Sequence, residues 1–435
     1  LCNVIYLISF VIEINKVKEL NLVFKEYIGF LKDKGLEYDL KEGYYWLDNS
    51  IIKAFDKEGN LHKVLRVYID EDLEMMFKEY KDKPFEIESW QETVNRNENN
   101  LLALEFKSRL LIKRCKEKYK DRIISVPSSG GKDSSVVTYL VQQIINNPVI
   151  IFNNTTLDVS DTYLHIKKEN NLRIINPKEG FYQWRERNNF VPTRFSRACC
   201  SIFKEGAMIE ELNENDKYLF FMGMRNDESA TRSGYIDEWR NDKWGSREWD
   251  AILPIRQWTE TDIWLFILYR NIDINSKYRK GYARVGCGVA CPYYSKSTWV
   301  LDKYWYPYLY QRWHDILDKD FIHNKKASIM NCTNNEYHNS WSGGIVRDKA
   351  TEEAIQEFAD QQGLDINIAR KYFDKTCMCC DKKLKKDDIA LSMKYYGRQI
   401  EQFKCKKCIG KEFEITNKEL KEKIKEFKAD GCQLF

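Results

Sequence analysis

With 435 residues the chain is long enough for two to three domains and a sizeable core. A net charge of only +4 does not by itself announce a polyanion-binding protein, and thirteen clustered cysteines in a chain rich in Lys, Glu and Asn exclude a small secreted disulfide scaffold. The charge is uneven: residues 375–429 hold 16 Lys/Arg against 9 Asp/Glu, a local +7, so the rest of the chain carries −3.

The opening Leu1–Ile14 is apolar but short, and it lacks a basic leader and a small-residue cleavage site. It alternates like a buried strand, so neither a signal peptide nor a membrane span is expected. The first residue is not Met, which leaves a truncated or unusual start open. No other segment reaches membrane length, and a cytoplasmic protein without membrane partners is expected.

Residues 1–90 read as an α+β extension. Tyr44–Trp46, Ile51–Phe55 and Val64–Ile69 are strand-like, with a turn at Lys57–Asn60. No chemistry stands out there. Residues 91–300 form the next unit, opened by a long helix over Asn95–Tyr119. Strands and helices then alternate as in a parallel α/β sheet: a strand at Arg122–Pro127, a helix from Ser134 to Ile145, strands at Pro148–Phe152, Leu172–Ile175 and Tyr218–Met222, and a helix at Ser160–Glu169. Residues 301–370 are aromatic-rich and helical in expectation, serving as packing, and 371–435 hold paired cysteines and a Lys/Glu helix at 417–429.

The most informative stretch is Ser129-Gly130-Gly131-Lys132-Asp133-Ser134, at the first strand-to-helix junction. Gly130 and Gly131 can take positive φ and leave no Cβ to block a ligand. The freed amides then form an anion nest at the positive end of the helix dipole. Lys132 adds a mobile cation, Ser129 and Ser134 add hydroxyls, and Asp133 either orients Lys132, helps hold Mg²⁺, or sits exposed at the helix start. The spacing is not that of a Walker loop.

This stretch resembles the PP-loop of the ATP-pyrophosphatase superfamily. Three further motifs make the resemblance specific to the phosphoadenylyl-sulfate (PAPS) reductase family over about residues 120–295: Asn153–Asp158 with Thr155, Gly223-Met-Arg225 through Arg232, and Pro254-Ile-Arg-Gln-Trp258-Thr-Glu-Thr-Asp262-Ile-Trp264. The resemblance implies a Rossmann-like adenine-nucleotide hydrolase sheet. It also implies nucleotide binding by Ser129, Gly130, Gly131, Lys132, Asp133, Ser134, Thr155, Gly223 and Arg225, with Lys132, Asp133, Arg225 and Arg232 in catalytic roles. Arg225 and Arg232 suit a polyanion, with ion pairing to Asp227 or Glu228 the alternative. Trp258 and Trp264 read as core.

Cys199-Cys200 and Cys287-Gly-Val-Ala-Cys291 could supply four thiolates to a metal centre. The adenylyl-sulfate reductases and the DNA-phosphorothioation sulfurtransferases are similar in this arrangement and carry a [4Fe–4S] cluster, although their second pair is spaced Cys-x-x-Cys. Zinc and unmetallated core cysteines remain alternatives. Cys377-Met-Cys379-Cys380 and Cys405-Lys-Lys-Cys408 bracket a strand-like turn at Tyr395–Arg398 and read as a zinc ribbon with Cys377, Cys380, Cys405 and Cys408 as ligands. Cys432 lacks the surroundings of the attacking thiol in PAPS reductases.

The expectation is an α/β PP-loop enzyme that binds ATP with Mg²⁺ (or PAPS) and transfers sulfur, releasing AMP and pyrophosphate. Its implied partners are a DNA or RNA substrate and a cysteine desulfurase or other sulfur donor. A thiol-dependent sulfonucleotide reductase is the runner-up, and a non-catalytic nucleotide-sensing or nucleic-acid-binding protein of a defence system is the third reading.

Overall fold

The computed structural model describes residues 20–70, 74–81, 84–193, 198–228, 232, 234–240, 244–323, 334, 337–338, 341, 376–380, 382–396 and 403–429. Leu1–Ile14, Gly397, Arg398, Cys432 and most of 324–370 lie outside the described residues.

The N-terminal extension is an antiparallel meander of five strands in chain order, β1 (Leu20–Leu22), β2 (Tyr45–Asp48), β3 (Ile51–Phe55), β4 (Leu61–Ile69) and β5 (Met75–Glu79). The expected strands are β2 to β4. The Asp56 carboxylate makes the turn between β3 and β4 by accepting from the Glu58 and Asn60 amides at 3.1 and 2.7 Å. Helix α1 (Lys25–Asp33) and β5 were not expected. Val64, Leu65 and Val67 of β4 pack with Phe30 and Leu31 of α1 and with Val300 and Leu301 from the far side of the chain.

Helix α2 runs over Trp90–Lys118, starting earlier than the apolar spacing indicates. Its start is set by a capping box: the Glu92 amide donates to Ser89 Oγ at 3.3 Å, and the Ser89 amide donates to Glu92 Oε2 at 2.8 Å. The second sheet has six strands: β6 (Ile123–Pro127), β7 (Val149–Asn153), β8 (Leu172–Ile175), β9 (Tyr218–Phe221), β10 (Glu238–Trp239) and β11 (Trp249–Ile252). Their order is β10-β11-β9-β6-β7-β8, parallel throughout except for β10 against β11. Strand β11 was missed because it is four residues long and hemmed by Arg247, Glu248 and Pro254.

Helix α3 (Lys132–Gln142) buries Val136, Val137, Leu140 and Val141 on this sheet, beside Trp258, Trp264 and Phe266. Trp258 and Trp264 are core residues. Their indole N–H groups donate to Ser108 Oγ and Asn21 Oδ1, each at 3.2 Å, so neither ring offers a free edge.

In the C-terminal module, the turn expected at Tyr395–Arg398 is corrected: Tyr395 and Tyr396 end a helix, Lys386–Tyr396. This helix packs with Lys406–Glu412 and Asn417–Ala429 through Leu391, Ile409, Leu420 and Ile424. Those four buried side chains give the module a small apolar core beside its cysteines.

Candidate active site and cysteine centres

The residues singled out from the sequence gather at the carboxyl ends of the parallel strands, where ligands bind in open α/β sheets. Strand β6 ends at Pro127, the chain turns through Gly130 with φ +70°, and α3 begins at Lys132. Gly223, at the exit of β9, lies against the start of α3: a Cβ there would stand 2.8 Å from the Asp133 carbonyl carbon and 2.9 Å from the Ser134 nitrogen. Only glycine permits that approach.

The loop's charges are tied into a buried knot. Lys132 Nζ lies 3.0 Å from Asp133 and 2.9 Å from Glu260. Arg225, with its side chain only 3% exposed, pairs with Asp133, Asp227 and Glu260. Two cations thus face three carboxylates. Burial pulls the Lys132 ammonium down, but Asp133, Tyr278 and Glu260 more than offset this and hold it protonated. Burial raises the Glu260 carboxyl, while the Asp133 carboxyl is held low against burial by Lys132 and Arg225. One expectation changes here: Lys132 is locked rather than mobile. Of the alternatives left open, Asp133 is enclosed and pairs with Lys132, and Arg225 is ion-paired, Asp227 among its partners. Arg232 pairs with Glu228, four residues before it in the chain. The anion nest is also partly occupied, since the Lys132 amide donates to the Tyr278 hydroxyl at 3.0 Å. Ser134 Oγ donates back to the Gly131 carbonyl at 2.8 Å, and Ser129 is exposed.

A second pocket is lined by Cys199, Cys200, Cys287 and Cys291 together with Thr155 and Lys204. Thr155, expected at the nucleotide, lines this pocket and donates to Asp158 Oδ2 at 2.6 Å. Cys199 and Cys200 end a short helix (Ala198–Cys200) that widens into a π-helical turn, Ser201–Gly206, of the kind found at functional sites. The turn brings Lys204 to the thiols, and Asn153 Nδ2 holds it by donating to the Lys204 carbonyl at 2.6 Å. A hydrogen bond from Cys287 pulls the Cys291 thiol down to about 6 against the effect of burial, with Arg284 and Lys204 assisting. The Cys287 thiol is pushed up by that shared proton and by burial. The Lys204 ammonium beside this pair favours negative charge on the thiols, as they in turn hold its proton. The four thiols line one pocket, and the three-residue spacing of Cys287 and Cys291 does not keep those two apart; among the described residues, though, only the C-terminal cysteines bring four sulfurs within 4.8 Å of one another.

The loop bearing these cysteines is braced from beneath. Gly288 has φ +71°, and a Cβ there would stand 2.3 Å from the Leu157 carbonyl oxygen. Lys277 is fully buried, and its ammonium donates to the Val285 carbonyl at 2.6 Å and the Tyr294 hydroxyl at 2.7 Å. Burial pushes Lys277 down to about 8, although Asp302, Asp158, Cys287 and Cys291 attract its charge. Sequence reasoning missed Lys277, Tyr278, Glu260 and Lys204. Only Lys204 left a signal, four residues after Cys200 on a helical stretch.

In the C-terminal module, the sulfurs of Cys377, Cys380, Cys405 and Cys408 all lie within 4.8 Å of one another, and Cys379 is the exposed bystander. The Cys405 amide donates to Cys377 Sγ at 3.1 Å. Despite burial, this and neighbouring amides lower the Cys377 thiol to about 7. Four convergent sulfurs with amide-stabilised thiolate character fit a tetrahedral metal ion.

Residues 123–292 match the phosphoadenosine phosphosulfate reductase domain. An uncharacterised protein of Methanocaldococcus jannaschii is 31% identical over 252 residues, 54% of this chain and 58% of that protein, so the chain spans little more than half of that relative's length. An adenosine 5'-phosphosulfate reductase of Halalkalibacterium halodurans is 28% identical over 204 residues, 45% of this chain and 84% of the enzyme. Among solved structures, a Candida auris phosphoadenylyl-sulfate reductase in a phosphate complex is similar with a TM-score of 0.33 and 14% identity, over 45% of this chain and 95% of that one. No helix among the described residues is long and apolar enough to cross a membrane. Residues 123–292 are thus similar to a phosphoadenosine phosphosulfate reductase domain, the resemblance that the glycine loop and its companion motifs imply.

Proposed function

We propose that the chain is a nucleotide-dependent sulfur-transfer enzyme acting on a nucleic acid. One observation carries this reading: the PP-loop follows β6 and Thr155 of the four-thiol pocket follows its parallel neighbour β7, so both lie at the carboxyl ends of adjacent strands. The loop takes ATP, and the excess of carboxylates around Lys132 and Arg225 calls for a divalent cation with the phosphates, supplied as Mg²⁺. An acceptor oxygen attacks the α-phosphate and pyrophosphate leaves. Hydrosulfide delivered to the thiol pocket then attacks the activated carbon or phosphorus, and AMP leaves with the oxygen. No electron is gained or lost.

Cys199, Cys200, Cys287 and Cys291 would hold a [4Fe–4S] cluster; four thiolates would leave no iron open, so the sulfide would be held beside it, against Lys204. Lys204 keeps an anion in that pocket compensated, and Phe203, Ala290 and Pro292 restrict water. Cys377, Cys380, Cys405 and Cys408 would hold structural Zn²⁺. A second reading, direct reduction of PAPS or adenylyl sulfate, is favoured by the match over most of an adenosine 5'-phosphosulfate reductase. Incubation with ATP and with each sulfonucleotide separates the two. Pyrophosphate release dependent on ATP and acceptor supports transfer, whereas sulfite released from PAPS or adenylyl sulfate without ATP turnover overturns it.

A further inference from the structure

The β4–β5 wing of the N-terminal meander carries an arrangement that a free-standing sheet disfavours. Cross-strand partners project to the same face, and like charges placed opposite one another destabilise a sheet. Yet Arg66 stands opposite Lys78, and Lys53 stands opposite Lys63. Lys53 is quenched by Asp48 at 2.6 Å. Arg66, Lys63 and Lys78 are exposed, and among the described residues none of the three has a carboxylate within ion-pairing distance.

Two tyrosines interleave with these charges. The Arg66 guanidinium lies 5.2 Å from the Tyr68 ring centre, and Lys63 Nζ lies 5.8 Å from that of Tyr80. Tyr68 pairs across the strands with Met76, itself 41% exposed, and the Tyr80 amide extends the ladder by donating to the Val64 carbonyl at 3.0 Å. The opposite face of β4 is buried through Leu65 and Val67, so the charged face is the one left to solvent. Exposed Asp70 and Glu74 bound the patch at the hairpin end.

We propose that this sheet face binds a single-stranded nucleic acid, with phosphates on Lys63, Arg66 and Lys78 and unpaired bases on Tyr68 and Tyr80. Charge complementarity supplies the match. A polyanion laid on the face relieves the Arg66–Lys78 repulsion, and flat rings on an exposed sheet are sequence-tolerant platforms for bases. A duplex hides its base faces and cannot use the tyrosines. This assigns a role to the N-terminal extension that nothing at the PP-loop requires, and it deepens the nucleic-acid reading given above.

The test uses the full chain and a fluorescein-labelled 12-residue oligouridylate, read by anisotropy. Lys78→Glu turns the repulsive pair into an attractive one. It should raise the thermal midpoint while weakening oligonucleotide binding by about tenfold or more and flattening the salt dependence by roughly one phosphate contact. Tyr68→Leu with Tyr80→Leu should weaken binding by about tenfold with the salt slope unchanged. Unaltered affinity in Lys78→Glu overturns the proposal, as does equally tight binding of a duplex or of polyglutamate. Charge reversal at Lys382, Lys383 and Lys407 of the C-terminal module, if it alone abolishes binding, also overturns it. ATP-dependent pyrophosphate release is followed in parallel. Its loss in the wild type with oligonucleotide binding intact refutes the sulfur-transfer chemistry and leaves this surface standing.

Discussion

Replacing Lys277 with Met tests whether the buried ammonium is kept for its charge rather than for stability. Burial lowers Lys277 from 10.5 to about 8, which at about 1.4 kcal/mol per tenfold is a cost of about 3 kcal/mol for keeping it protonated in the fold. The unfolded chain holds the proton more tightly, so the cost is complete below pH 8 and fades as pH rises toward 10.5. Met removes the charge at similar volume and forfeits two hydrogen bonds, worth about 1 kcal/mol each. The Val285 carbonyl is not orphaned, since the Tyr294 hydroxyl also donates to it at 2.7 Å. Lys277→Met should therefore be about 1 kcal/mol more stable than wild type at pH 7 and about 2 kcal/mol less stable above pH 10.5. Urea unfolding of reduced, metal-free protein at the two pH values measures the difference directly. A variant that is less stable at pH 7, by an amount independent of pH, refutes the reasoning and makes Lys277 a net stabiliser. The same variant should raise the apparent pKa of the Cys291 thiol, followed by alkylation rate against pH, because an attractive charge has gone.

Gly288→Ala combines a left-handed backbone with a Cβ pressed on the Leu157 carbonyl; about 1–2 kcal/mol of strain plus the clash should lower the thermal midpoint and reduce iron uptake on anaerobic reconstitution. Tyr278→Phe frees the Lys132 amide and should tighten ATP binding about fivefold in calorimetry, if phosphate takes that amide. Lys132→Ala leaves Glu260 and Asp133 sharing one cation fewer and should cost about 3–5 kcal/mol of stability as well as nucleotide affinity. Cys405→Ser with Cys408→Ser should open residues 376–429 to rapid hydrogen exchange and abolish zinc content, while exchange in α3 stays slow.

The sequence displayed the parallel sheet and both cysteine groups because strand-helix alternation and paired cysteines are local patterns. Lys132 and Arg225 were visible as candidate phosphate cations, but their partner Glu260 was not. It lies 128 residues beyond Lys132 in the chain and joins the knot only because helix Glu260–Arg270 packs on α3. Lys277 was hidden for the opposite reason. Nothing in Asn275-Ser-Lys277-Tyr278 distinguishes a core lysine from a surface one until Val285 and Tyr294 close over it. The C-terminal module was misread between its cysteines because Tyr395-Tyr-Gly397-Arg398 has strand-like residues, while Lys386–Tyr396 gains more by burying Leu391 as a helix.

Lys277 and Tyr278 are neighbours on one short helical turn, Ser276–Arg279, and they serve different pockets: one ammonium under the cysteine loop, one hydroxyl on the PP-loop amide. A phosphate that expels the Tyr278 hydroxyl and a ligand that loads the thiols both pull on this turn. Whatever free energy one event spends in moving it is felt by the other, with equal magnitude in either direction. Nucleotide affinity should then depend on the state of the thiols, and thiol loading on the nucleotide, without any residue being shared between the two sites.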